Sequence, residues 1–340
     1  MPAALDHVVD LIFGRWRSQV LYAGAALDVF AHLGPDTHRM AASVASEIGA
    51  DPTMLYRLLR ALATIGLLAE SDAKEFRLTE AGALLRADHP QSLRAMALLE
   101  EGPEHYAIWK NLVAMVREGR QNGFDREYGV MAFDYANTNS RYGEVFDQAM
   151  SSYSAVQTEV VVAALAEHDL SSVGTLCDVA GGHGHFACGF LNAYPHLSAI
   201  VFDRPEVVAQ TDRLWAPRLG VADRCRYIGG DMFSEVPAAE TYTLKLILHD
   251  WSDDECVRIL ANIRRSVIGR GQVFVAEHVV PGPGEPHFSK LFDIHMMCWG
   301  SGRERTSEEY AALLSTSGWQ YTQTLRAPGG MMSVVAGTAG

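Results

Sequence analysis

Apolar positions in the first hundred residues recur at helical spacing. In MLYRLLRALATIGLL, residues 54 to 68, Leu55, Leu58, Leu59, Leu62 and Ile65 fall on one stripe, which predicts a helix with a single buried face. Asp51-Pro52 ahead of it is a helix-start signal, and the stretch from Val44 to Ile48 precedes it. LLAES, a turn at Ser71-Asp72 and EFRLTEAGALL then read as a hairpin leading into a helix. Helix, turn, helix and a two-stranded wing make a winged-helix pattern. Between Glu104 and Val160, two helical stretches opening EHYAIWKNL and YGEVFDQAM flank a Gly- and Asn-containing middle. From Val173 the rhythm changes. Short β-branched runs (TLCDV, SAIVFD, CRYIGGD, TYTLKLIL, QVFVAEHVV) alternate with helical stretches such as FACGFLNAY and DDECVRILANIRRSV. That alternation predicts crossover units and ligands beyond the carboxyl ends of the strands. The expected class is α/β: a Rossmann-like, doubly wound, mostly parallel sheet over 161–340. A helical, winged-helix-like unit over 1–103 and a helical linker over 104–160 that contributes to the pocket precede it.

A chain of 340 residues exceeds what one core usually organises, in keeping with two units. With 48% apolar and 20% charged residues the composition is that of a globular protein, and no uncharged apolar run is long enough to span a bilayer. In MPAALDHVVDLIFGRWRS the acid precedes the apolar stretch and the arginines follow it. This is the wrong order for a secretory signal, and the expected location is the cytoplasm. Net charge is −13, which repels phosphate backbones and anionic lipid, so neither nucleic acid nor membrane is expected as a partner. The would-be recognition helix carries only Arg57 and Arg60 among its leucines and alanines. A packing and dimerisation module fits it better than a DNA reader, and a regulator would need a basic stripe that the first ninety residues lack. The five cysteines have no CxxC pair and read as buried thiols.

The run LCDVAGGHGHFACGFL, residues 176 to 191, is strand, glycines and helix. Gly181, Gly182 and Gly184 put bare amides at a helix N-terminus, where a ligand can approach closely. Gly182 to Ala187 also satisfies the GxGxxA dinucleotide fingerprint, so a nicotinamide cofactor has to be weighed. The acids separate the options. Asp203 ends the second strand and suits ribose hydroxyls in either case, or caps the helix ahead of Pro205. Asp178, before the glycines, would repel a pyrophosphate, and GGDMF adds Asp231 after the third strand. A cationic, phosphate-free ligand such as S-adenosylmethionine suits these acids better.

At this point the chain resembles the class I, S-adenosylmethionine-dependent small-molecule O-methyltransferases, which include plant caffeic-acid and isoflavone enzymes and bacterial antibiotic-tailoring enzymes. The resemblance rests on LYRLLRALATIGLL, DVAGGHG, VFDRPEVV, GGDMF, LHDWSDDECVRIL, VFVAEHVVPG and RERTSEEYAALLSTSGW, in the family's order and spacing. One departure is Ala180, where the family usually has the first glycine of DVGGG. Alanine costs little there unless the residue needs a positive φ. The resemblance implies that Asp178, Gly181, Gly182 and Gly184 line the methionine part of the cofactor. Asp203, beside Arg204, holds the ribose; Asp231 and Met232 flank the adenine; Phe233 is wall and Lys245 lies nearby. It also implies a homodimer through the N-terminal unit that helps to close the pocket.

LHDWSDDE, residues 248 to 255, brings His249 and Asp250 to a strand's carboxyl end, and Ser252 to Glu255 look like the opening of a helix. Alone, His249 reads more readily as a structural histidine than as a base; the family motif reverses that and makes it a general base. A phenolic hydroxyl has a pKa of about 10, and imidazole titrates where it can take that proton. Glu277 in VFVAEHVV and Glu304 in GRERTSEEY match the family's two acids that buttress this histidine. Glu304 has a competing role at a helix start, paired with Arg303 or Arg305. Asp250 braces the loop or reaches substrate, and Trp251 packs. No metal is expected, because His249, Asp250, Asp253 and Asp254 project in different directions. The substrate set is Phe133, Met150, Tyr153, Phe292, Met296, Met297 and Trp299, about half of it core, in a pocket suited to a flat apolar ligand. His295 either bonds a polar substrate group or faces solvent. The expected activity is methylation of a hydroxyl on an aromatic secondary metabolite. The scaffold also admits N- and C-methylation, and some family members keep the cofactor for hydroxylation, decarboxylation or cyclisation.

Overall fold

Asp51 accepts a hydrogen bond from the Met54 amide at 2.8 Å with Pro52 in the first turn, so helix α3 (Pro52–Thr64) starts where its sequence says it should. These are features of a computed structural model that describes residues 3–166, 168 and 170–340. The described residues fall into two compact units, 1–107 with 133–153, and 108–132 with 154–340. The stretch 104–160 is therefore divided between both units.

In the first unit α3 buries Leu55, Leu59 and Leu62 against Phe30, Phe76 and Leu78, while Leu58 and Ile65 are only partly covered. Strands β1 (Arg39–Met40), β2 (Leu68–Glu70) and β3 (Glu75–Leu78) form a sheet in the order β1-β3-β2. The hairpin of the wing pairs Leu68 with Leu78 and Glu70 with Phe76. Helix α2 (Ala41–Ile48) precedes α3. Helix α1 (Ala3–Ala26) exposes Leu11, Ile12, Phe13 and Trp16, a concentration of apolar surface that a solvated helix does not keep without a partner.

In the second unit the strands are β4 (Thr175–Val179), β5 (Ser198–Asp203), β6 (Cys225–Gly229), β7 (Ala239–Lys245), β8 (Val267–Glu277), β9 (Gln320–Arg326) and β10 (Ser333–Thr338), in the order β6-β5-β4-β7-β8-β10-β9. The first five run parallel; β10 is antiparallel to both β8 and β9. Helices cover both faces, so the central strands are mainly apolar, as a doubly wound sheet requires, with Asp178, Thr241, Thr243 and Glu277 the buried polar residues among them. One core packs Phe186, Phe190 and Leu191 with Val161 and Leu165. The other packs Ile259, Leu260 and Ile263 with Tyr310, Leu313 and Trp319. The strand order reverses between β4 and β7, the crevice where such sheets bind ligands. Parallel pairing brings Asp178, Asp203, Lys245 and Glu277 to that one edge. Among the described residues no helix is long and apolar enough to cross a membrane.

Candidate active site

The turn after β4 is shaped by what side chains would collide with. A Cβ on Gly181 would lie 2.6 Å from an Asp178 carboxylate oxygen; one on Gly184 would lie 2.7 Å from the Tyr227 hydroxyl. Gly182 and Gly184 have φ of 58° and 87°. At Gly182 nothing lies within 4 Å of a Cβ position, so its outer face is open. Ala180 also has a positive φ, 54°, so the condition under which alanine is costly here is met, at about 1–2 kcal/mol for a left-handed L-residue. Of the two histidines of the turn, His183 bonds Gln210 at 3.2 Å and His185 turns inward. His185 bonds Thr158 at 2.9 Å and sets its edge on Trp215, and burial pulls it down to about 4, leaving a neutral ring.

Asp203 accepts from the Gly182 amide at 2.7 Å and from Arg204 N at 2.7 Å, tying the end of β5 to the turn. Asp178 is 1% exposed and accepts from the Thr243 hydroxyl at 2.8 Å. Its carboxylate lies beneath the turn, and burial pushes it up to about 7 against the pull of Thr243 and Lys245. Lys245 donates to Gln157 at 3.4 Å and is brought down to about 8 by burial, with Asp178 and Glu277 opposing. Arg204 is half-exposed and pairs with Glu206. The exposed Asp231 accepts from Phe233 N and the Ser234 hydroxyl. The Met232 carbonyl accepts from Asn262, and Phe233 meets Trp251 edge-on at 4.8 Å. The glycine amides are taken within the protein, Gly181 by the Phe202 carbonyl, Gly182 by Asp203 and Gly184 by the Gly181 carbonyl. What the turn offers is bare backbone flanked by carboxylates, with the basic side chains committed elsewhere, which fits a sulfonium, an amino group and ribose hydroxyls better than a pyrophosphate.

The segment after β7 turns sharply. Leu246 has φ 54°, and Leu248–Asp250 form one tight turn carrying His249. Glu277, ending β8, accepts from the amides of Ile247 and Leu248 at 3.1 and 2.9 Å. Its other oxygen lies 3.6 Å from His249 Nδ1. Glu304 Oε1 lies 2.7 Å from the same Nδ1, a hydrogen bond, while its own amide donates to Asp293 at 2.9 Å. Arg303 goes to Asp253 and Glu309, so Glu304 is committed to the histidine. The helix start expected at RERTSEEY is present too, in a capping box between Thr306 and Glu309, as is the one between Ser252 and Glu255. Burial raises Glu277 to about 7 and Glu304 to about 9, with Asp293 adding to the latter and Arg305 opposing. Asp250, also raised to about 7 by burial, lies 3.6 Å from Nε2. The ligating atoms of His249, Glu277 and Glu304 approach within 4.8 Å of one another, a spacing that invites a cation. However, a metal holds its nitrogen and oxygen ligands at about 2.0–2.2 Å. The 2.7 Å contact is too short to span one and is filled by a proton.

Residues 109–320 match the family of the O-methyltransferase domain, and residues 9–88 match the O-methyltransferase dimerisation domain. A phenazine O-methyltransferase, PhzM, of Lysobacter antibioticus is 34% identical over 330 residues, 97% of this chain and 95% of the relative. The chain belongs to the O-methyltransferase family. Human N-acetylserotonin methyltransferase, solved in complex with S-adenosylmethionine, superposes with a TM-score of 0.87 at 28% identity, over 100% of this chain and 99% of that one. The N,N-8-amino-8-demethyl-D-riboflavin dimethyltransferase RosA from Streptomyces davawensis gives 0.81 at 28%, covering both chains fully. This O-methyltransferase uses S-adenosylmethionine.

Beside His249, the methyltransferase carries a row of rings. Phe292 stacks on His249 with centroids 5.9 Å apart and on His295 at 5.4 Å; Trp109 follows His295 at 6.2 Å. His295 is 8% exposed, so it does not face solvent. Met296 and Trp299 are buried as core, and Met297 accepts on its carbonyl from the Asn122 amide. Phe133, Met150 and Tyr153 belong to the first unit, where Phe133 meets Phe146 edge-on. Sequence reasoning missed Trp109, Thr243, Asp293, Gly302 and Arg305. Trp109, Thr243, Gly302 and Arg305 lie within the quoted stretches EHYAIWKNL, TYTLKLIL and GRERTSEEY, but only Arg305 carries a suggested role there, as a possible partner of Glu304.

Proposed function

We propose that this enzyme transfers the methyl group of S-adenosylmethionine to a hydroxyl of an aromatic small molecule, with His249 as general base. The observation that carries this reading is the buried carboxylate of Glu304 on Nδ1 at 2.7 Å. It holds the ring in the tautomer whose Nε2 is free to accept a proton. Bound S-adenosylmethionine supplies an electrophilic methyl on a sulfonium sulfur. His249 Nε2 would take the proton of the hydroxyl as its oxygen accepts the methyl, the cofactor's sulfur keeping the electron pair of the broken bond in S-adenosylhomocysteine. Glu304 and Glu277, in their ionised forms, stabilise the imidazolium. Gly181, Gly182, Gly184 and Asp203 are the residues we assign to holding the cofactor, with Arg204, Asp231, Met232, Phe233 and Lys245 around it. Asp178 acts from below the turn. The row Phe292, His295 and Trp109 supports a flat aromatic substrate. The dimerisation-domain match and the apolar face of α1 support a homodimer built on the first unit.

Methyl-labelled S-adenosylmethionine with a panel of phenols and aromatic amines tests the reading by mass spectrometry. The expected product is a phenol heavier by one labelled methyl, nearly absent with His249→Ala. Transfer to the amines alone favours N-methylation, a reading to which the likeness to RosA gives weight. Cofactor binding with no methyl moved favours chemistry other than methyl transfer.

A further inference from the structure

Arg305 is completely buried, and taking a guanidinium out of water costs several kcal/mol unless every donor finds a partner. Four hydrogen bonds and an ion pair supply those partners. Nε donates to Asp253 at 2.9 Å, and Nη2 donates to the Trp251 carbonyl at 2.7 Å and lies 2.7 Å from Asp253. Nη1 donates to the Leu248 carbonyl at 2.9 Å and to that of Arg303 at 3.3 Å. Leu248 and Trp251 are the two residues that bracket His249 and Asp250. The planar fork thus spans the segment carrying the base and holds both its ends.

The same short run touches the base twice more. Gly302 lies so close that a Cβ there would fall 1.8 Å from the His249 carbonyl oxygen and 2.4 Å from the Asp250 carbonyl carbon. Glu304 takes Nδ1. The run is itself anchored beyond the end of β8, where the Val280 amide donates to the Arg305 carbonyl at 2.9 Å. Glu304 therefore orients the ring, Gly302 supports the peptide, and Arg305 fixes the backbone on either side.

We propose that Arg305 is a positioning residue for methyl transfer, its guanidinium setting where His249 Nδ1 meets Glu304. This rests on the reading of His249 as base. Lysine keeps the charge and loses the fork, so Arg305→Lys is the first variant. Displacing a reacting group by about 1 Å costs on the order of 10²-fold in rate, and a fall of that size in kcat is expected on the best phenol of the panel, with S-adenosylmethionine affinity within about twofold of wild type. In protein labelled with 15N-histidine, the downfield Nδ1–H resonance of His249 is expected to shift or broaden. Asp253→Asn, at a half-exposed partner of the fork, is expected to do the same severalfold more weakly, and it decides the matter if Arg305→Lys does not fold. Unchanged kcat with an unmoved Nδ1–H resonance, in Arg305→Lys or in Asp253→Asn where the former is unfolded, overturns the proposal. Full activity of His249→Ala overturns the reading beneath it instead, and the resonance reports on Arg305 even if no phenol is methylated.

Discussion

The glycine turn after β4 and the His249 segment after β7 stand at neighbouring strand ends and are built in opposite ways. The turn is defined by absent side chains: it packs closely because Gly181 and Gly184 allow Asp178 and Tyr227 to come underneath, and nothing lies over a Cβ position at Gly182. The His249 segment is defined by side chains, with Glu277, Glu304 and Arg305 each bonded to it in a buried setting. The first should therefore fail through sterics, the second through charge and direction. A methyl group is the natural probe of one, and removal of an ionisable proton that of the other.

The largest effect on stability is expected at Gly184. Alanine there would keep a φ of 87° with its Cβ 2.7 Å from the Tyr227 hydroxyl and 2.9 Å from Val201. Unfolding in urea should show a loss of about 2–4 kcal/mol, and titration should show cofactor affinity at least tenfold weaker. A variant that matches wild type in both would mean that the turn yields freely. Smaller, and of the other kind, is Glu277→Gln. The carboxyl of Glu277 titrates at about 7 in the folded protein against an ordinary 4.5. The stability of its neutral form is fully present below pH 4.5 and is lost as pH rises to about 7. Glutamine does not ionise, so the variant should gain on wild type across that window by about 1–3 kcal/mol. A difference independent of pH would show that the carboxyl is already ionised at low pH. The smallest change is Ala180→Gly. Relief of about 1–2 kcal/mol of left-handed strain is offset in part by the freer unfolded chain, leaving a gain of about 0.5–1 kcal/mol in urea unfolding. A net loss would mean that the Ala180 methyl contributes packing greater than its strain.

The features legible in the sequence are those set by neighbours in the chain. Asp51-Pro52 starts α3, Ser252 and Glu255 start the helix Asp253–Ser266, and the alternation after Val173 gives the parallel sheet. What sequence pattern misplaces is decided over distance. The run LKLIL reads as strand to Leu248, yet β7 stops at Lys245, because Glu277, thirty residues on, captures the amides of Ile247 and Leu248. Asp178 reads as a ligand-facing acid, and the fold places it under the turn on Thr243. His295 reads either as bonding a polar substrate group or as facing solvent, and its burial beside Phe292 and Trp109 removes the second. Arg305 carries no local sign that its guanidinium will close around a loop more than fifty residues earlier. Residues 104–160 read as a linker because helical periodicity reports length and amphipathicity, not which core a helix joins.

The central claim is that His249, held by Glu304, takes the substrate proton. Single-turnover methyl transfer by His249→Ala, with S-adenosylmethionine affinity measured on the same samples, tests it most directly. The account expects affinity within about twofold of wild type and a rate lower by about 10²–10⁴-fold, the usual worth of a general base. A rate equal to wild type at equal affinity would contradict it.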